Sequence, residues 1–376
     1  MRYGSVIVCR GRCVGPRTAS RHISENGVIE IIGNDKRTDP PSLRILFSFD
    51  NVGEATINPF TDMLFESVRT DSSVPLAFSW RAALSGGYDV LHLHWPEMHL
   101  RDRVFVRRMA QYLAWTGVLG RAWISRKLIA QTQHNARPHE SGRPGERFLL
   151  WVTNRRTRLW IRLVDDMEIP ASVPAGAERV TIPHGTYLDR YRSMDVPDSE
   201  PGLLLFFGLI RRYKGIDALI TAFATLGDPD LRLRIVGEPQ DTELAEQVRR
   251  AASDDPRVSV RLEFLPEADL VREIGRAEVV VLPYDEMNNS GAALLALSLE
   301  RPIVVPDGAV TRELRSEVGG AWVAVYDRPF GESALRGALA EVRAAAERRG
   351  DSGLERIGWP EIGARHLEAY RRVLGR

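Results

Sequence analysis

Apolar residues fall along this chain in short, dense runs separated by stretches where they recur at helical spacing. Leu43 to Phe49 is the first run; a polar loop from Asp50 to Asn58 follows, then a helical pattern from Pro59. Tyr88 to His94 and Leu128 to Gln133 repeat the theme, and a less regular stretch leads through Val180 to the Pro183-His184-Gly185 turn. Pro197 to Gly202 carries the Pro, Gly and Asp signals of a linker, and beyond it the pattern restarts. The second series is Leu203–Gly208, Leu231–Gly237, Val258–Phe264, Val279–Pro283 and Pro302–Val305. Short buried runs alternating with amphipathic, helix-length segments predict parallel strands joined by crossover helices. The expected fold class is therefore α/β, with two Rossmann-like parallel-sheet domains facing across a cleft and ligands at the C-terminal strand ends. The expected division is a flexible leader over 1–42, an acceptor-binding domain over 43–197, a donor-binding domain over 198–357 and a C-terminal helix over 358–376.

Composition changes this picture little. At 376 residues the chain has room for two ordinary domains, and its 44% hydrophobic and 27% charged content is that of a globular protein. A net charge of +1 excludes a uniformly basic nucleic-acid binder. The two cysteines, Cys9 and Cys13, make neither a metal set nor a disulfide framework. No apolar run of about 18 residues or signal-peptide core appears, so the expected location is the cytoplasm.

Three segments of the second half carry candidate binding chemistry. Phe207-Gly208-Leu209-Ile210-Arg211-Arg212-Tyr213-Lys214-Gly215 passes from a strand through a basic loop to a helix near Ile216. Backbone N–H groups of such a loop, with Arg and Lys beside them, suit a phosphate; a solvated basic loop is the structural alternative. Leu282 to Leu294 again runs from a strand into a loop of small polar residues, where Asn289 or Ser290 would cap a helix starting near Gly291. Phe264-Leu265-Pro266-Glu267 is placed where loop backbone can meet a nucleobase, or is a plain βα turn.

Several separate motifs together resemble the GT-B glycosyltransferases, and more narrowly the xanthan-type GDP-mannose:glycolipid 4-β-D-mannosyltransferases. They are Tyr88 to Glu97, His134-Asn135-Ala136-Arg137-Pro138-His139-Glu140, Phe207 to Gly215, Asn288 to Gly291 with Leu294 to Pro302, and Trp322 to Tyr326. The resemblance runs from about Arg44 to the C-terminus. It implies a GDP-mannose donor, a lipid-diphosphate-linked oligosaccharide acceptor, inversion at the anomeric carbon, and exopolysaccharide biosynthesis as the setting. It implies no metal or other cofactor; Arg211 and Lys214 would neutralise the leaving diphosphate. It also implies that the last helix, from Trp359, crosses back to the first domain. In one respect the chain departs from the larger retaining families, which carry an E-x(7)-E pattern here. Met287 and Leu295 stand at those positions, and Leu295 cannot grip a ribose hydroxyl.

An inverting transfer needs a general base at a strand end of the first domain. Glu97 is the first candidate, with Trp95 beside it to stack on a sugar or desolvate the carboxylate; Asp50 and Glu140 are the alternatives. His134 is a candidate contact to the donor sugar, and His139 and His184 to sugar or acceptor. The His134, His139 and Glu140 set matches no familiar metal motif and ranks below sugar contact. From 101 to 165, arginines interleave with Phe105, Tyr112, Trp115, Trp123, Phe148, Trp151 and Trp160. That pattern suits peripheral contact with the anionic inner face of a membrane, with RNA or a plain solvated helix as the alternatives. Within the same fold, a UDP-sugar donor is the nearest rival; a non-catalytic scaffold for nucleotide sugar or nucleic acid is the rival of another class.

Overall fold

The computed structural model describes residues 42–49, 59–134, 142–165, 167–285, 287, 291–348, 350, 354 and 358–376. The expected leader, Cys9 and Cys13, and the site candidates Asp50, His139, Glu140, Asn289 and Ser290 lie outside the described residues.

The first sheet begins with β1 (Leu43–Phe47), α1 (Pro59–Ser67), β2 (Ser73–Leu76), α2 (Trp80–Ser85) and β3 (Val90–His94). A 3₁₀ turn (Pro96–Leu100) leads to α3 (Phe105–Ile124), β4 (Leu128–Gln133), α4 (Pro144–Arg156), β5 (Leu159–Arg162), β6 (Glu178–Thr181) and the short α5 (Leu188–Tyr191). Its six strands lie in the order β2-β1-β3-β4-β5-β6, all parallel. Every residue of β3 and β4 is buried, as strands covered by helices on both faces must be. Helix α3 buries Trp115, Val118, Leu119 and Ala122, a stripe at the 3.6-residue period, and the Trp115 indole N–H donates to Thr153 Oγ1 at 3.0 Å.

The second sheet is built from β7 (Leu203–Phe207), α6 (Ile216–Thr225), β8 (Arg232–Val236), α7 (Thr242–Ser253), β9 (Val258–Arg261), α8 (Glu267–Arg276) and β10 (Val279–Val281). It continues through α9 (Gly291–Ser298), β11 (Ile303–Pro306), α10 (Ala309–Val318), β12 (Val323–Tyr326) and α11 (Glu332–Ala344). Its parallel order is β12-β11-β10-β7-β8-β9. The apolar runs of the sequence correspond to β1, β3, β4 and β7 to β11. Strands β2 and β5 carry no comparable signal: β2 contains Pro75, and β5 is four residues flanked by arginines. Pairing with β1 and β4, supplied only by the tertiary fold, makes them strands.

Helix α12 (Trp359–Leu374) packs on α1, β4 and β5. The Arg371 guanidinium donates to Ser72 Oγ at 2.7 Å, and Arg372 reaches Glu178 at 3.3 Å. Gly363 permits this docking, because a Cβ there would run into the Ser67 carbonyl at the end of α1.

Candidate active site

In an open α/β sheet, the crevice for a ligand lies where strand order reverses. The second sheet reverses between β7 and β10, and the C-terminal end of β7, with helix α9 that follows β10, lines one cavity of about 300 Å³. Gly208, Lys214, Leu265, Gly291 and Leu295 line it, with Pro59 and Tyr187 contributed from the first half of the chain. Helix α9 is apolar on all sides and buried throughout its later turns, so its N-terminus is fixed against this cavity.

Lys214 is the cation on the cavity wall. Its ammonium stands 5.1 Å from the Tyr284 ring centre and 6.0 Å from that of Phe206. Burial, reinforced by the positive charge of Arg211, lowers its pKa to about 8. Among the described residues no carboxylate pairs with it, so an arriving anion would meet an uncompensated charge. Arg211 is half-buried and close enough to act on Lys214, but does not line the cavity. Of the sequence candidates, Gly208, Lys214, Leu265 and Gly291 thus converge, while Arg211 stands behind Lys214.

The first sheet reverses between β1 and β3, and there uncharged polar and aromatic side chains interlock. Ser48 Oγ donates to the His94 carbonyl at 2.8 Å and accepts the His94 N–H at 2.6 Å. His94 Nδ1 and His134 Nε2 share a hydrogen bond of 2.9 Å, and Trp95 stacks on His134 with ring centres 3.9 Å apart. Trp95 adopts a left-handed conformation (φ 46°, ψ 57°), turning the chain sharply out of β3. Burial, with neighbouring His184, lowers the His134 pKa to about 3. Burial also holds His94 well below the usual imidazole range and brings His184 to about 4. These imidazoles are therefore neutral at pH 7 and present hydrogen-bonding groups without charge.

Glu97 lies in the 3₁₀ turn just after Trp95. Burial raises its carboxyl pKa; nearby Glu146 adds to this, while Arg101 and a backbone hydrogen bond oppose it. A raised pKa makes a carboxylate a stronger base, the direction that general-base chemistry favours.

The two sheets meet through residues between β6 and β7. The Tyr187 N–H donates to Ser298 Oγ at 3.0 Å, and its hydroxyl lies 3.2 Å from His184 Nε2. Phe60 packs on His184 with ring centres 4.7 Å apart, and the Trp359 indole N–H donates to the Thr186 carbonyl. Arg190 grips Glu267 with two N–H groups, at 2.5 and 3.1 Å, and approaches Asp62 at 3.9 Å. This ties α1, α5 and α8 together. Tyr187, Phe60 and Trp359 were not candidates by sequence. The only hint was the aromatic residue two positions after the Pro-His-Gly turn.

A larger hollow, about 610 Å³, lies at the opposite, N-terminal ends of β4 and β5. Trp123, Ile124, Arg126, Lys127, Arg155 and Arg156 line it. Its position excludes it from the strand-end crevices where α/β folds bind substrates. The adjoining surface of α3 leaves Leu113 74% and Trp123 64% exposed, and Phe148 and Trp151 of α4 are also exposed.

Comparison with known proteins agrees with this architecture. Residues 201–336 match the family model described as glycosyl transferases group 1. Two proteins of Xanthomonas campestris pv. campestris, both named GDP-mannose:glycolipid 4-beta-D-mannosyltransferase, are 38% identical over 337 residues, covering 89% of this chain and 94% of theirs. Among solved structures, Anabaena HepE in complex with UDP and glucose superimposes with a TM-score of 0.63 at 13% identity, over 87% of this chain and 98% of that one. Sucrose-phosphate synthase from Thermosynechococcus elongatus gives 0.60 at 14% identity, over 89% and 99%. The fold is of the GT-B type.

Proposed function

Because the chain belongs to the family of GDP-mannose:glycolipid 4-β-D-mannosyltransferases and is a glycosyltransferase, we propose that it transfers mannose from GDP-mannose to a lipid-diphosphate-linked oligosaccharide, with inversion, in exopolysaccharide assembly. The observation that carries this reading is Lys214: a half-buried ammonium at the reversal point of the second sheet, with no carboxylate partner among the described residues. Such a charge suits a nucleoside diphosphate.

In the proposed reaction Glu97 takes the proton from the acceptor hydroxyl. The freed oxygen attacks the anomeric carbon as the bond to the β-phosphate oxygen breaks. Negative charge grows on the departing diphosphate, where Lys214 and Arg211 stabilise it in a site shielded from water. The proposal assigns that charge to these two cations, with no metal ion or other cofactor. Neutral His134 and His184, with Trp95, line the sugar side. Contact there without full charge avoids competing with Lys214 for the phosphate.

The exposed apolar side chains of α3 and α4, set among arginines, support docking on the anionic inner face of a membrane. No described helix is long and apolar enough to cross a membrane. A surface that binds the membrane would hold the cleft near a lipid-linked acceptor.

The deciding experiment is transfer by the purified chain from a panel of GDP- and UDP-sugars to a lipid-linked acceptor. GDP-mannose should be preferred. Glu97→Gln should abolish transfer while leaving GDP-induced thermal stabilisation intact. Preference for a UDP-sugar would overturn the donor assignment; normal turnover by Glu97→Gln would overturn its role as base. Binding of nucleotide sugar without turnover on any acceptor would favour a scaffold.

A further inference from the structure

Leu295 occupies the position at which the retaining relatives place a ribose-binding glutamate, and it lies on the cavity wall, 5% exposed. An apolar side chain cannot accept a hydrogen bond, yet a buried ribose diol must find acceptors or lose its hydration uncompensated. Some other group must therefore take that role.

Three carboxylates line the cavity: Glu238, Glu263 and Glu267. Glu267 is held by Arg190, as described above, and Glu263 is bonded by the Arg261 guanidinium at 2.6 Å. Glu238 differs. Among the described residues, no hydrogen bond or ion pair engages its carboxylate, although its backbone is tightly fixed. The Ile210 N–H donates to the Glu238 carbonyl at 2.9 Å, and the Gln240 N–H donates to the Ile210 carbonyl at 3.1 Å. The loop after β8 is thereby pinned to the basic loop after β7 that carries Lys214.

Between the two loops the cavity floor is bare. Gly208 (φ 104°) and Gly237 (φ 148°) have backbone conformations that side chains rarely adopt, and a Cβ on Gly237 would collide with the Gly208 carbonyl. The floor thus permits close backbone approach, with a cation on one side and an unpaired carboxylate on the other. A carboxylate beside a diphosphate would repel it, whereas the two O–H donors of the neighbouring ribose match its two oxygens. Nucleotide-binding Rossmann units repeatedly place an acidic residue after the next strand for this contact.

We infer that Glu238 is the ribose-binding residue of this protein, accepting hydrogen bonds from the 2′- and 3′-hydroxyls of the donor nucleotide. The inference rests on the donor-site reading of the cavity but is independent of the base. Calorimetric titration of the full chain with GDP, 2′-deoxy-GDP and 2′,3′-dideoxy-GDP tests it, with UDP and its deoxy analogues in parallel. The unaltered protein should prefer GDP to dideoxy-GDP by roughly 10- to 100-fold. Glu238→Ala should bring GDP down to the dideoxy level without weakening dideoxy-GDP, and Glu238→Gln should fall between. The exposed position of Glu238 predicts an unchanged melting temperature without ligand. The same hydroxyl dependence in the uridine series would support Glu238 whichever base is native. Equal affinities in the unaltered protein, or a preference that survives Glu238→Ala, would overturn the inference. Failure of every nucleoside diphosphate to bind would overturn the donor-site reading, and this inference with it.

Discussion

The two halves of the molecule use the same parallel-sheet plan and finish it differently. At the reversal point of the first sheet, Ser48, His94, His134 and Trp95 present interlocked, uncharged side chains. At that of the second, glycines leave the floor open and the half-buried Lys214 ammonium faces it. Their surfaces also differ. Several arginines of the second half are paired: Arg234 with Glu273 at 2.5 and 2.6 Å, Arg343 with Glu278 at 2.7 and 3.0 Å, Arg276 with Glu200 at 2.5 Å. In the first half, Arg126, Lys127, Arg155 and Arg156 border one groove, and no described carboxylate pairs with any of them. Paired charges satisfy themselves at the surface and attract little. Unpaired ones keep their field for something outside the chain. On the proposed function, the diphosphate belongs to one half, and the uncharged sugar and an anionic surface to the other.

Removing the ammonium should break this contrast most strongly. Lys214→Ala is expected to lower kcat by roughly 100- to 1,000-fold in transfer assays, the scale for losing one preorganised group at a developing oxyanion. The unaltered protein should also show a matching pH dependence. In the empty site Lys214 loses its proton near pH 8, against an ordinary 10.5. Nucleoside diphosphate affinity should therefore fall as pH rises through about 8, approaching tenfold per unit, and calorimetry above pH 8 should detect proton uptake on binding.

The histidine side of the comparison predicts acid sensitivity. His184 and His366 are buried with pKa values brought to about 4 by loss of solvation, against 6.5 when exposed. Between those values the unfolded chain binds more protons than the native one. Stability is then complete above about pH 6.5 and lost as pH falls toward 4, at up to about 1.4 kcal/mol per unit for each histidine. Denaturant titrations at pH 7 and pH 5 should show the fall, and His366→Asn should reduce its slope.

The surface difference carries smaller effects. Replacing Arg126, Arg155 and Arg156 with Gln should weaken binding to vesicles containing anionic lipid by about 1 kcal/mol per cation, while transfer to a water-soluble acceptor analogue continues. As a counterpart, Arg249→Gln, which removes an exposed pair with Glu246 in α7, should change neither vesicle binding nor stability beyond about 0.5 kcal/mol. Equal loss from both variants would erase the distinction between the halves.

Much of this was legible before any coordinates. The dense apolar runs mark eight of the twelve described strands, most clearly where burial on both faces left a continuous signal, as in β3, β4 and β7. The loop from Gly208 to Lys214 declared its chemistry through residue type alone. Short strands made by their neighbours, such as β2 and β5, left no such mark. Neither did the site residues whose meaning depends on a distant partner. Glu238 reads as an ordinary loop glutamate until its loop is seen pinned to that of Ile210, and Tyr187 until its N–H meets Ser298.

The sequence by itself determined what each local segment can do: bury a strand, start a helix, or present backbone N–H groups and a cation to an anion. Such preferences depend on side chains within a few positions of one another, so they survive in linear order. Only the tertiary structure decided which arginines are neutralised, which imidazoles lose solvent and charge, and which carboxylate remains available beside the cavity. Charge, solvation and close approach are set by neighbours far apart in the chain, as Tyr370 meeting His92 at 2.6 Å across the folded molecule illustrates.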